Sequence, residues 1–205
     1  DLYESYLGSM LAAIALAAAA AISLQHPEAA WTMIIAPVAI AAVGIFLSIL
    51  GSQLVRTKEN ATLKELLGAL HRGVNVASGG VALAAGVICY ICFADVYNLI
   101  PGATWWGVWL ATVVGLLSGL IIGKGSEHYT AYDYAPTQEV AKSSATGAAT
   151  VIISGIAVGM MSTWVPIVTI AVATALAYGF AGGFADASLG LYGIALAAVG
   201  MLSTL

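Results

Sequence analysis

From position 143 to position 185 the chain carries no charged side chain, a run of 43 residues. As one helix this run would be about 64 Å long at about 1.5 Å per residue, twice the hydrocarbon thickness of a bilayer. It is therefore either one span kinked at Pro166 and followed by a glycine-rich turn at 179–183, or two short spans that turn at 162–166. We favour the first, because the glycine-rich segment makes the better turn.

The whole chain has the composition of a membrane protein. Hydrophobic residues make up 61% of its 205 positions and charged residues only 8%, against about 25% charged residues in a soluble domain. We expect an all-α, polytopic membrane helix bundle with about six spans, which forms a single transmembrane region over 1–205. The predicted spans are 1–24, 31–55, 73–97, 105–123, one within 143–185, and one that begins at 189.

The positions of the basic residues predict which loops face the cytoplasm. All six lie in two stretches, 56–72 and 124–142. Under the positive-inside rule, cytoplasmic loops are expected at about 56–72 and 124–144, and the loops at 25–30, 98–104 and 181–188, which lack Lys and Arg, face outside. Within the first stretch, 61–72 reads as an amphipathic surface helix. Neither stretch is basic enough to indicate nucleic-acid binding.

Glycines at four-residue spacing predict close helix packing. Gly115, Gly119 and Gly123 form one such stripe, and Gly155 with Gly159 forms another. Small residues at this spacing let a neighbouring helix approach closely. We interpret both stripes as packing signals rather than as sites of chemistry.

The candidate ion site lies at the first turn of the chain. Asp1, Glu4 and Ser5 have i, i+3 and i+4 spacing, which puts them on one helix face, and no further charged residue follows before Glu28. Acidic groups within a membrane span typically mark an ion path. The alternative is that both carboxylates lie in the aqueous headgroup layer and have no role in transport.

Metal or redox chemistry has weaker support. Cys89 and Cys92 form a CxxC pair inside an apolar run with only Asp95 as a nearby candidate ligand, which favours two small buried side chains over a zinc or redox site. The acids and His128 of the 124–144 loop have no recognised ligand spacing. The sequence therefore predicts no protein-bound metal site in this chain.

Four blocks of residues, in order along the chain, resemble one family. Asp1-Leu-Tyr-Glu-Ser-Tyr-Leu-Gly-Ser9 resembles the sixth-helix segment of the membrane-bound, ion-pumping inorganic pyrophosphatases. Three later blocks are also similar to that family. The first is Glu127-His-Tyr-Thr130 with Tyr134-Ala-Pro136, and the second is Ser144-Ala-Thr-Gly147-Ala-Ala-Thr-Val-Ile-Ile-Ser-Gly155. The third is Leu191-Tyr-Gly-Ile-Ala-Leu-Ala-Ala-Val-Gly-Met-Leu-Ser-Thr204. The chain departs from the family pattern at His128, where Tyr is usual, and at Val151, where Asn is usual.

The resemblance implies a homodimer of subunits with about sixteen helices, a multi-pass protein of the cell (inner) membrane in contact with lipid. Such a protein couples hydrolysis of Mg²⁺-bound pyrophosphate to transport of Na⁺ or H⁺. This chain would be an internal fragment from the sixth helix to the start of the eleventh. The hydrolytic motifs and most of the Mg²⁺ ligands of the family would lie outside it, so no catalytic residue is assigned here.

The resemblance also implies that Asp1, Glu4 and Ser5 belong to the ion gate below the hydrolytic centre. A Glu at the position of Glu4 resembles the Na⁺-pumping branch, although some proton pumps share it, so the pumped ion and any dependence on K⁺ stay open. A secondary transporter or channel segment without hydrolytic activity is the alternative, with Asp1 and Glu4 holding a coupling ion.

Overall fold

The computed structural model describes residues 2–26, 29–57, 62–94 and 104–203, and within these ranges the protein is all-α. Its helices are α1 (Leu2–Ser23), α2 (Ala30–Gln53), α3 (Leu63–Phe93), α4 (Trp105–Thr130), α5 (Ala135–Ser143), α6 (Ala148–Ser162), α7 (Trp164–Phe180) and α8 (Ala187–Leu202). A 3₁₀ turn at Ser144–Thr146 links α5 to α6.

The predicted membrane architecture is confirmed. The described residues contain five helical segments that are long and apolar enough to cross a bilayer, and α8 is a further apolar helix of 16 residues. The observed bounds of α1 and α2 differ by only one or two residues from the predicted spans. The chain divides into two compact units, 1–117 with 173–205, and 118–172, which are described separately.

In the first unit, α1, α2, α3 and α8 pack around a shared apolar core. Its buried members include alanines of α1 and α2 together with Cys89, Phe93, Tyr192 and Leu196. Alanine-rich faces let helix backbones approach closely, so dispersion contacts accumulate where lipid and protein are equally apolar. The largest fully buried side chain is Tyr192 of α8.

Tyr192 compensates for a proline inside α2. Pro37 has no N–H, so the carbonyl of Met33, four residues earlier, lacks its helical donor. The buried hydroxyl of Tyr192 donates to that carbonyl oxygen at an O···O distance of 2.7 Å. A backbone group that would be costly to bury is thereby satisfied by a side chain 159 residues away.

We expect Tyr192→Phe in the full-length protein to lower the free energy of unfolding by about 1–2 kcal/mol, because the Met33 carbonyl is left buried without this donor. In a Pro37→Ala background the helix N–H is restored and the same substitution should cost almost nothing. Thermal denaturation of the four proteins in detergent measures this difference. An equal loss in both backgrounds would contradict the link between Tyr192 and Pro37.

Glycine contacts in the first unit bring backbones together. A Cβ on Gly115 of α4 would collide with the backbone of Ala197 in α8, and one on Gly200 would lie 2.5 Å from the carbonyl oxygen of Thr112. The packing role predicted for Gly115 is therefore confirmed. A Cβ on Gly123 would meet nothing within 4 Å, so this part of the predicted stripe faces open space.

The N-terminal part of α3 differs from the expected arrangement. A surface helix was expected at 61–72, before a separate span; from Leu63 onward this segment is continuous with that span in one helix of 31 residues. The helix begins at a capping box in which Glu65 accepts from the backbone N–H of Thr62 at 2.9 Å. That residues 56–72 face the cytoplasm stays a prediction.

The uncharged run forms two helices that are almost continuous. Only Thr163 separates α6 from α7, and its backbone is itself α-helical, with φ −76° and ψ −19°. Pro166 cannot donate to the carbonyl of Ser162, which explains the interruption at this point. The chain turns after Phe180, where Gly182 has φ 96°, and Asp186 then caps α8 through the N–H of Ser188 at 2.7 Å. The arrangement agrees with one span, interrupted just before Pro166, that is followed by a glycine-rich turn.

In the second unit, α5 packs against α6, and aromatic side chains cluster at the end of α4. The ring of His128 lies 5.2 Å from that of Tyr129 and 5.0 Å from that of Tyr134, and Trp164 donates to the hydroxyl of Tyr129 at 2.9 Å. Amphipathic aromatics of this kind collect at membrane interfaces.

The second predicted glycine stripe is open among the described residues. A Cβ added to Gly155 or to Gly159 of α6 would meet no atom within 4 Å. No described helix therefore uses this stripe for a close backbone approach, and its packing role stays a prediction.

Candidate ion site

Glu4 and Ser5 lie on the open side of α1. Both are exposed in the first unit. The buried residues of α1 that face the core are Ala13, Ala17, Ala20 and Ala21. At about 100° per residue these alanines lie on the opposite half of the helix from Glu4. Asp1, the third predicted member of the site, lies outside the described residues.

Small residues continue the open face of α1 below Glu4. Gly8, Ala12, Ala15 and Ala19 are all exposed, and a Cβ on Gly8 would meet nothing within 4 Å. Large side chains also lie on this face, because Leu11 is 66% exposed and projects within about 20° of Glu4 around the helix. Glu4 and Ser5 therefore stand at the end of a face that the described helices of the first unit leave open, but that is not uniformly small.

An adjacent side of the same turns borders an apolar groove of about 650 Å³. Tyr3, Tyr6, Leu7 and Met10 of α1 form one wall, and α2 with the end of α8 forms the other. The hydroxyl of Tyr6 donates across it to the carbonyl oxygen of Ala41 at 2.8 Å. Glu4 is not among the lining residues, but Leu7, about 60° from it around the helix, is. The apolar groove and the candidate ion site are therefore adjacent on α1, with Tyr6 on the far side of the groove from Glu4.

The chemistry available at the site is that of oxygen ligands. A carboxylate beside a hydroxyl can coordinate a small cation or accept a proton, and a low-dielectric environment forces one of these choices. Helical spacing in the sequence predicted one face for Asp1, Glu4 and Ser5, and the two described members, Glu4 and Ser5, are both exposed. The sequence analysis did not single out Tyr6. The feature of the sequence that could have identified Tyr6 is its hydroxyl group, which lies on an otherwise apolar face of these turns.

The other polar groups do not come together as a metal site. Across the part of the chain that the structure describes, no three His, Cys, Asp or Glu side chains lie close enough to share a metal ion. Cys89 is buried in the apolar core, Cys92 is partly buried beside it, and neither forms a disulfide. Asp95, the ligand weighed beside them, lies outside the described residues.

Five helical segments in the described residues are long and apolar enough to cross a bilayer, and they define an integral, multi-pass membrane protein. The profile of the family described as Inorganic H+ pyrophosphatase matches residues 1–205, and the chain belongs to this family.

Relatives named as pumps match the chain along its full length. It is 48% identical to the "Putative K(+)-stimulated pyrophosphate-energized sodium pump" of Bacteroides thetaiotaomicron and 36% identical to the protein of the same name from Clostridium tetani. It is 37% identical to the "K(+)-insensitive pyrophosphate-energized proton pump 2" of Moorella thermoacetica. Each match covers 100% of this chain but only 27–28% of the relative, so the chain spans about a quarter of the length of these proteins.

Proposed function

We propose that this chain is the gate-bearing segment of a membrane pyrophosphatase that couples hydrolysis of Mg²⁺-pyrophosphate to ion translocation. The observation that carries the proposal is Glu4, an acid on the open face of an apolar helix, in a chain 48% identical throughout to a protein named as a pyrophosphate-energized sodium pump. Asp1, Glu4 and Ser5 are the proposed gate residues. Hydrolysis itself is assigned to parts of the protein outside this chain.

The gate works through the charge of its carboxylates. When another helix covers the open face of α1, Glu4 loses water, and its ionised form then needs a cation beside it. Ser5 supplies a neutral oxygen to the same ion, and Asp1 adds a second carboxylate one turn earlier. Movement of the covering helix would change the distance between these oxygens and the ion, which is how binding and release can alternate.

The described helices of the first unit pack on the other side of α1 and leave this face uncovered. We propose that the covering helix belongs to a part of the full-length protein outside the first unit. The chain also lacks a built Mg²⁺ site in its described part, where no cluster of three candidate ligands occurs. We therefore treat Mg²⁺ as part of the pyrophosphate substrate and assign no step to it here.

For the transported ion we propose Na⁺, with K⁺ as an activator. The support is the Na⁺-pump name of the 48% identical relative, which also describes stimulation by K⁺, together with oxygen ligands that suit a hard cation. A relative at 37% identity is named as a proton pump, so H⁺ is the alternative ion that the experiment below must distinguish. We also propose lipid contact and a homodimer, since large apolar side chains such as Ile153, Met160 and Ile167 are more than half exposed.

Vesicles that contain the full-length protein test the proposal. Addition of Mg²⁺ and pyrophosphate to sealed, inside-out vesicles should drive uptake of radiolabelled Na⁺, and a protonophore should not abolish this uptake. Acidification of the lumen that the protonophore does abolish, without Na⁺ uptake, would identify a proton pump instead. If neither ion moves and pyrophosphate is not hydrolysed, a transporter or channel without hydrolysis replaces the proposal.

A further inference from the structure

The first turns of α1 are held in place differently from the rest of the helix. Farther along, Ala13, Ala17 and Ala20 are buried with at most 1% exposure, so tight packing sets the rotation of the helix there. In the first turns, Tyr6 and Met10 are only partly buried against the core, and an apolar groove lies beside them between α1 and α2. Apolar packing therefore fixes the rotation of these first turns less tightly than that of the turns from Ala13 onward.

The same turns are also intrinsically deformable. Gly8 is a helix-interior glycine, which weakens a helix by about 1 kcal/mol relative to Ala. The hydroxyl of Ser9 donates to the carbonyl of Ser5 at 2.9 Å, a back-bond that tends to bend helices. Because the first turns of α1 deform easily and lie beside a groove, a further contact is needed to hold them in one rotational orientation.

The Tyr6 hydroxyl supplies that contact. It reaches across the groove and donates to the carbonyl oxygen of Ala41 at 2.8 Å. Tyr6 is two residues from Glu4, which places the two side chains about 160° apart around the helix. As long as this hydrogen bond holds Tyr6 against α2, Glu4 must point to the opposite, open side.

We propose that Tyr6 is a positioning residue for the ion site: its bond to Ala41 sets the direction in which Glu4 and Ser5 present their oxygens. This inference rests on the proposed function and adds to it a residue that does not touch the ion. A rotation of even part of a helical step moves a carboxylate by more than the tolerance of an ion site, which is about 0.5 Å.

The test is Tyr6→Phe in the full-length protein, which keeps the ring in the groove and removes only the hydroxyl. We expect the Na⁺ concentration for half-maximal hydrolysis to rise about fivefold, the change in affinity that one ordinary hydrogen bond supplies. The rate of hydrolysis at saturating Na⁺ should stay within about twofold of the parent. Tyr3→Phe is the matched control, because Tyr3 lines the same groove but is 76% exposed.

A purely structural role would produce a different pattern. If Tyr6 had only a structural role, Tyr6→Phe would lower thermal stability and the maximal rate of hydrolysis. Its half-saturating Na⁺ concentration would equal that of the parent and of Tyr3→Phe, and that result would overturn the proposal. Glu4→Gln, assayed in parallel, separates this failure from a failure of the proposed function. If Glu4→Gln loses Na⁺ dependence and Tyr6→Phe does not change it, only the positioning role is lost. If Glu4→Gln also behaves as the parent, the assignment of Glu4 to the ion site is wrong.

Discussion

Replacement of Glu4 by Ala in the full-length protein is expected to reduce Na⁺ uptake into sealed vesicles by about a hundredfold. Removal of one charged partner from a desolvated ion pair costs about 3 kcal/mol or more, which corresponds to that loss of affinity. Packing within the first unit should hardly change, because Glu4 lies away from the face of α1 that packs on the core.

Two further variants make the Glu4 result specific. Glu4→Gln keeps the size of the side chain and removes the charge, so it should resemble Glu4→Ala if the carboxylate binds the ion. Glu139→Gln is the matched control, since this acid is exposed on the short helix α5, which has no buried residue. Parental Na⁺ uptake by Glu4→Ala, with the same amount of folded protein in the vesicles, would remove Glu4 from the gate.

The second large effect is expected at Gly115. An alanine there would place its Cβ on the backbone of Ala197, and backbone atoms cannot rotate aside as a flexible side chain can. The helices α4 and α8 would have to separate, at a cost of about 1–3 kcal/mol or more. We expect Gly115→Ala to lower the thermal denaturation temperature in detergent and the yield of folded protein in the membrane.

Gly123 on the same helix provides the control for Gly115. A Cβ at Gly123 would meet nothing within 4 Å, so the higher helix propensity of Ala should make Gly123→Ala neutral or stabilising by up to about 1 kcal/mol. Equal stability of the two variants would mean that the close approach of α4 and α8 contributes nothing to the fold.

Much of the architecture follows from local sequence pattern. Long apolar runs predicted α1 and α2 almost to the residue, and the glycine-rich segment before Asp186 predicted the turn that precedes α8. These features depend on hydropathy and on backbone freedom within a few residues of each position. For the same reason, i, i+3 and i+4 spacing predicted a shared helix face for Asp1, Glu4 and Ser5, of which Glu4 and Ser5 are described and exposed.

Other features required information from distant parts of the chain. The sequence showed two similar glycine stripes, but only the tertiary structure distinguished Gly115, in backbone contact with α8, from Gly155 and Gly159, which are open in the second unit. The continuity of residues 63–72 with α3 also departed from the pattern-based expectation, because the change from polar to apolar composition does not interrupt the helix.

The sequence by itself determined that the protein is a bundle of membrane helices and that an acid and a hydroxyl share one face of α1. Only the tertiary structure decided which face of α1 is open and that Tyr6 bonds to Ala41, 35 residues away. It likewise paired Tyr192 with the Met33 carbonyl that Pro37 leaves without a donor. The physical reason is that helix periodicity is local, whereas a helix face acquires its role from the neighbour that packs against it.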